Sequence, residues 1–165
     1  MGSHADDDRG LTLPDVATEL HPGLWMSGMP QPDWPLQRWG VRLVVSLSEH
    51  LPPHAAARYE WGTRGGAHGD GDVMYLHWPF VDGDAPEYPL AELAASTVAA
   101  AVQRRLVVLV HCQEGRNRSG LISALAVRTL TGCSGADAVT AVRTARPPAL
   151  ANRAFRDAIT SLDPV

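Results

Sequence analysis

The sequence is poor in cysteine, has no long apolar run and contains no lysine: its fourteen basic residues are all arginine. Two cysteines, Cys112 and Cys133, are too few for a disulfide framework, and thiols in the cytosol normally stay reduced. The longest apolar stretch, Leu106 to Val110, has the length of a buried strand and falls far short of the roughly 18 residues of a membrane span. A formal net charge of −4 argues against nucleic acid as a partner, since such binders are usually basic. The all-arginine bias is what a GC-rich coding sequence, also rich in Ala, Gly and Pro, produces without selection for anion binding. No hydrophobic block follows Asp6, Asp7 and Asp8, so no secretory signal is expected and the chain reads as cytoplasmic. Paired metal-ligand spacing is also lacking: His50, His54, His68, His77 and Cys112 are scattered, and no metal or other cofactor is implied.

What is present is a single α/β domain. With 165 residues and an apolar fraction of 45%, the chain is long enough to bury a real core. A flexible N-terminus is expected over residues 1–10, and one domain over 11–165. Strand composition marks Gly23 to Ser27, Val41 to Leu47, Val73 to Trp78 and Leu106 to Val110, the last apolar on both faces and hence central. A short helix is expected around Leu36 to Trp39. The Gly-, Pro- and His-rich passage from Pro52 to Asp72 reads as a surface loop, with a helical turn near Ala55. Leu90, Leu93, Ala94, Thr97, Val98, Ala101 and Val102 recur with a helical period and predict one buried helix face. Leu121 to Leu130 predicts a buried helix ended by Gly132, and Ser134 caps a helix carrying Val139 and Val142 that stops before Pro147. A last helix carries Phe155, Ile159 and Leu162. Strands alternating with helices, then helices alone, predict a central, mostly parallel sheet of about four to five strands flanked by helices.

The chemistry concentrates in His111-Cys112-Gln113-Glu114-Gly115-Arg116-Asn117-Arg118-Ser119-Gly120, which joins the central strand to the buried helix. Five residues between Cys112 and Arg118 let a loop curl so that its backbone N–H groups, chiefly those of Gln113 to Asn117, converge on one phosphate at a helix N-terminus. Arg118 closes the ring through paired hydrogen bonds to phosphate oxygens. The same groups stabilise a thiolate at Cys112, Gly115 lets the loop turn, and Ser119 is placed to donate a hydrogen bond to the thiolate. His111 orients the cysteine region, while Glu114 and Arg116 contact substrate or brace the loop. Cleaving an ester with a thiolate also needs an acid for the leaving oxygen. Asp82 and Asp84 follow the strand ending at His77-Trp78, and parallel neighbouring strands bring both loops to one edge of the sheet. Either carboxylate fits the role on this reasoning. Cys133, a helix length beyond the loop and on the order of 20 Å from Cys112, is structural.

The segment from His111-Cys112 to Arg118-Ser119 resembles the phosphate-binding signature of the protein tyrosine phosphatase superfamily, His-Cys followed five residues later by Arg-Ser or Arg-Thr. Chain length and element order resemble the small atypical dual-specificity phosphatases from about Leu20 to Leu162. In that family the acid lies upstream of the cysteine in a Pro-apolar-x-Asp-Gly context. Pro79-Phe80-Val81-Asp82-Gly83 matches it, so the resemblance selects Asp82 over Asp84. Arg146-Pro147 and Asn152 with Phe155 are similar to the family's C-terminal helical part, where Asn152 is implied to support the phosphate loop. The low-molecular-weight phosphatases and arsenate reductases, with their cysteine near the N-terminus, do not match this order. No counterpart of the tyrosine-specific Asn-x-x-Tyr loop is present, which implies a shallow site.

The resemblance implies metal-independent hydrolysis of phosphate monoesters, phosphotyrosine or phosphoserine/threonine in proteins, through a phosphocysteine, by a monomer without nucleic-acid or membrane partners. An alternative is a small phosphorylated metabolite as substrate: an inositol phosphate, a nucleotide or a biosynthetic intermediate. A non-catalytic phosphate-binding module and a rhodanese-type sulfurtransferase fit the intact Cys112, Arg118, Ser119 and Asp82 less well.

Overall fold

The computed structural model describes residues 12–50, 73–84 and 88–165. The expected flexible N-terminus over 1–10, the passage from Pro52 to Asp72 and its helical turn near Ala55 lie outside these residues.

The described chain begins with a short helix α1 (Leu13–Val16), then strands β1 (Thr18–His21), β2 (Leu24–Ser27), β3 (Val41–Ser46) and β4 (Met74–His77). Helix α2 (Tyr88–Gln103) leads to β5 (Val107–His111), followed by α3 (Arg118–Thr131), α4 (Gly135–Ala145) and α5 (Arg153–Thr160). The five strands form one sheet in the order β1-β2-β5-β3-β4. β5 runs parallel to β2 and β3, β4 runs parallel to β3, and only β1 is antiparallel to its neighbour. This is the single α/β domain with a mostly parallel sheet that the sequence predicts, with β5 at its centre.

Alternation along the strands divides the core into two layers, since successive side chains leave opposite faces. Val108 and Val110 of β5, with Leu24, Met26, Leu43 and Val45, pack against α2, α3, α4 and α5. Leu109, with Val41, Val44 and Tyr75, packs on the other face against Leu13, Leu36 and the half-buried Trp25, Trp34 and Trp39. Helix α3 is buried from Ser119 to Val127 and ends at Gly132 in the left-handed conformation. Ser134 caps α4 by accepting from the Asp137 amide at 3.1 Å. Among the described residues no helix is long and apolar enough to cross a membrane, and no group of ligating side chains forms a metal cluster.

Three expectations need correction. The buried face of α2 is rotated from the predicted one: Ala94, Val98, Ala101 and Val102 are buried as expected, but Leu90 is 46% and Leu93 55% exposed, and Ala91, Ala95 and Ala99 are buried in their place. Both stripes have helical spacing, but the alanine-rich one lets α2 approach α3 closely, and close approach wins over side-chain size. Leu36 to Gly40 is a turn, not a helix, although the Trp39 amide donates to the Pro35 carbonyl at 3.0 Å as in a helical turn. The first strand, β1, was absent from the expectations; it doubles back on β2 through Pro22-Gly23.

The parallel register fixes the site. Ser27 of β2 and Ser46 of β3 both lie opposite His111 of β5, and Ser46 lies opposite His77 of β4. The chain segments that follow these strands therefore gather at one edge of the sheet, where α/β sites form.

Candidate active site

The loop from Cys112 to Asn117 is held by its carbonyl groups. Gln113 O accepts from the Met29 amide at 3.1 Å, Arg116 O from the Leu150 amide at 3.0 Å and Asn117 O from the Leu121 amide at 2.8 Å. Gly115 O accepts from Arg146 Nε at 2.7 Å. Because a trans peptide points its C=O and N–H in opposite directions, carbonyls tied outward turn the following amides of Glu114, Arg116, Asn117 and Arg118 to the inside of the loop. Gly115 adopts φ +64°, and a Cβ on it would overlap the backbone of Ser27 and Gly28. Glycine is thus required both by conformation and by the closeness of β2.

Cys112 lies at the base of this loop, 3% exposed. Its Sγ is 3.2 Å from Ser119 Oγ. Burial pushes the thiol pKa up, but hydrogen bonding to the Ser119 hydroxyl and to the backbone of Ser119, Arg116 and Gly115 outweighs it and holds the thiol below its ordinary value. These bonds favour the charged form, which is the reactive one. His111 is fully buried, with Nδ1 3.3 Å from the Cys112 carbonyl oxygen. Arg118 Nη1 donates to Leu47 O at 3.3 Å and to Phe80 O at 3.2 Å, which fixes the guanidinium between the ends of β3 and β4. Its Nε is buried without a hydrogen-bond partner. Such a group costs about 1–3 kcal/mol unless paired, and an oxyanion in the loop would pair it.

Asp82 reaches the same place from the segment after β4. With Cys112, Gln113, Glu114, Arg116, Asn117 and Arg118 it lines a cleft of about 220 Å³. Both its carboxylate oxygens accept side-chain amides, Oδ2 from Asn117 Nδ2 at 2.8 Å and Oδ1 from Asn152 Nδ2 at 2.9 Å. Asp84 is not among the cleft's residues. Glu114 and Arg116 form a 3.5 Å ion pair with side chains 70% and 47% exposed, a surface contact of little energetic weight. Cys133 is a free thiol at the far end of α3.

No family model and no curated protein sequence matches this chain. Solved structures do. Human DUSP28 is 26% identical, with 91% of this chain and 94% of that one covered and a TM-score of 0.67. Tk-PTP in its active form is 26% identical over 90% of this chain and 96% of that one, with a TM-score of 0.71. The fold is that of the protein tyrosine phosphatase superfamily. Within it, the match is to the small atypical dual-specificity phosphatases. PTPMT1, solved in complex with PI(5)P, is 17% identical over 88% of this chain and 93% of that one, at a TM-score of 0.69, and shares the fold alone.

Within this phosphatase fold the structure brings together every residue singled out from the signature, with Asp82 and Asn152 beside them. Sequence reasoning missed two participants. In the sequence Arg146 stands out only as part of an Arg-Pro pair, yet it braces the loop at Gly115 and also donates to Thr18 Oγ1 at 3.2 Å. The sequence gives weight to the Asn117 backbone alone, yet its side chain is the direct link between the loop and Asp82.

Proposed function

We propose that this chain hydrolyses phosphate monoesters, those of phosphotyrosine or phosphoserine/threonine in proteins, in two steps through a phosphocysteine. In the first step the Cys112 thiolate attacks phosphorus, the bond from phosphorus to the ester oxygen breaks, and Asp82 gives its proton to the departing oxygen. The loop amides and Arg118 take up the charge that develops on the equatorial phosphate oxygens. In the second step water attacks phosphorus and gives a proton to Asp82. The phosphorus–sulfur bond then breaks, and Ser119 with the loop amides stabilises the leaving thiolate. Phosphate departs and the enzyme is restored. No step calls for a metal ion or an organic cofactor.

The observation that carries this reading is the set of hydrogen bonds gathered on the Cys112 sulfur, strong enough to offset its burial and favour a thiolate. A buried structural cysteine would have no reason to sit among them. A thiolate nucleophile also has to stay reduced, which favours the cytoplasm as the working compartment.

The test is hydrolysis of p-nitrophenyl phosphate at about pH 6, between the ordinary carboxylate and thiol ranges, with EDTA present. Turnover by the wild type that is abolished in Cys112→Ser is the expected result. A folded wild type with no turnover, or turnover that survives Cys112→Ser, would overturn the assignment. Phosphotyrosine, phosphoserine and phosphothreonine peptides, compared with inositol phosphates and nucleotides, then separate protein from metabolite as substrate.

A further inference from the structure

Asn117 stands at the N-cap of α3, where an asparagine side chain ordinarily accepts a hydrogen bond from the first turn of its own helix. Here it makes no such bond. Its amide nitrogen donates instead to Asp82 Oδ2 at 2.8 Å, and its amide oxygen accepts from the Asn152 backbone N–H at 2.8 Å. Asn152 does cap its helix, α5, accepting from the Phe155 amide at 3.3 Å. Its own amide nitrogen is left to donate to Asp82 Oδ1 and to Gly83 O, both at 2.9 Å. The segment carrying Asp82 is further tied by Arg118 to Phe80 O. Both carboxylate oxygens are thus committed to two rigid helix starts, one on the phosphate loop and one 35 residues beyond it in sequence.

We propose that Asn117 and Asn152 are positioning residues that fix the Asp82 carboxyl over the loop before substrate arrives. The acid in this chain is then part of a preassembled site, not of a segment that swings in with each turnover. One lone pair of each carboxylate oxygen is occupied by an amide, so the transferable proton is confined to the remaining positions on Asp82. The same grip holds Asp82 for its second task, taking the proton of the attacking water. The inference rests on the reaction proposed above and adds two side chains that touch the acid and not the phosphate.

An acid matters most when the leaving group is a poor one. Phenol, like a tyrosine side chain with a pKa of about 10, needs the proton far more than p-nitrophenol does. The experiment compares kcat/KM, which reports the first chemical step, for phenyl phosphate and p-nitrophenyl phosphate. Asn117→Ala is expected to lose about tenfold or more on phenyl phosphate and less than about threefold on p-nitrophenyl phosphate. Asn152→Ser retains a neutral capping side chain and removes the amide donor, and the same selective loss is expected of it. Alkylation of Cys112 by iodoacetamide is expected to stay at the wild-type rate in both. In an Asp82→Asn background, Asn152→Ser should cost nothing further, because the residue acts through Asp82.

Equal losses on the two substrates, or a full additional loss in the Asp82→Asn background, would overturn the inference while leaving Cys112 catalysis intact. If thermal melting shows that Asn117→Ala fails to fold, Asn152→Ser decides on the same criteria. A wild type with no Cys112-dependent turnover overturns the underlying reaction, and the inference with it; that outcome is read before any asparagine variant is made.

Discussion

Arg146 Nε donates to the Gly115 carbonyl oxygen at 2.7 Å, across 31 residues of sequence. The same guanidinium reaches Thr18 Oγ1 at 3.2 Å, so one side chain ties β1, the end of α4 and the loop after Cys112 together. It is partly buried, and burial lowers its pKa while the charge of Cys112 acts in the opposite sense. Helix α4 ends at Ala145, with Arg146 as its C-cap, just ahead of Pro147. The helix end that Pro147 enforces is therefore also what places the brace.

Removing that brace leaves the Gly115 carbonyl without its partner and the loop free to relax. Arg146→Met is expected to reduce stability by about 1–3 kcal/mol and to lower kcat/KM on p-nitrophenyl phosphate by on the order of 10²-fold through loop misplacement. Arg146→Lys should recover only part of this, since an ammonium lacks the planar fork that spans Gly115 and Thr18. Denaturant unfolding and steady-state kinetics on the same preparations test both statements. A variant of wild-type activity would mean that the loop holds its shape without Arg146.

How far the fold could be read from sequence depended on whether an element's signal was local. β3 and β5 are β-branched runs, and β2, β3, β4 and β5 were found within a residue or two of their observed ends. Cys112, Arg118 and the pair Asp82 and Asp84 were legible as candidates because their spacing and their place after strands are local features too, while the preference for Asp82 came from the family resemblance. β1 was missed because Thr18-Glu19-Leu20-His21 carries little strand composition and exists through its pairing with β2. The orientation of α2 was missed because two stripes share the helical period and only packing against α3 decides between them. The roles of Arg146 and Asn117 depend on partners 31 and 35 residues away, and no local pattern announces them.

The corrected face of α2 makes its own test. Leu93 is more than half exposed, so Leu93→Gln is expected to change stability by less than about 0.5 kcal/mol. Ala95, outside the stripe read from the sequence, is 2% exposed, and enlarging it to leucine should cost about 1–3 kcal/mol by overpacking. The face first read from the sequence, with Leu93 in the core, predicts a large loss for Leu93→Gln. Urea midpoints of the two variants distinguish the two orientations.

Gly115 is expected to tolerate no side chain. Its φ of +64° strains any other residue, and a Cβ would strike the backbone of Ser27 and Gly28, which cannot rotate aside as a side chain would. Gly115→Ala should therefore displace the loop, destabilise the chain by about 1–3 kcal/mol and lower kcat/KM by on the order of 10²-fold or more. The rate of Cys112 alkylation at neutral pH should fall in parallel, because the amides that favour the thiolate move with the loop. Wild-type alkylation in this variant would show that the thiolate does not depend on loop geometry.

The thiolate also leaves a signature in stability. Folding lowers the Cys112 pKa from its ordinary value of 9.0, as hydrogen bonds to Ser119 and the loop backbone outweigh burial. In the window between the folded value and 9.0, the unfolded chain holds a proton that the folded chain has released. Stability therefore rises with pH across that window, is fully gained above the ordinary thiol value, and is lost as pH falls through the folded one. Subtracting the unfolding free energy of Cys112→Ser from that of the wild type removes the contribution of other titrating groups. This difference is expected to climb with pH through the window and then level off. Ser119→Ala, which takes away the largest of the favouring bonds, should raise the folded pKa, shrink the climb, and move the pH at which iodoacetamide alkylates Cys112 upward. A difference that stays flat from acid to alkaline pH would mean that Cys112 ionises alike in the folded and unfolded chains, and the argument for a stabilised thiolate would fall with it.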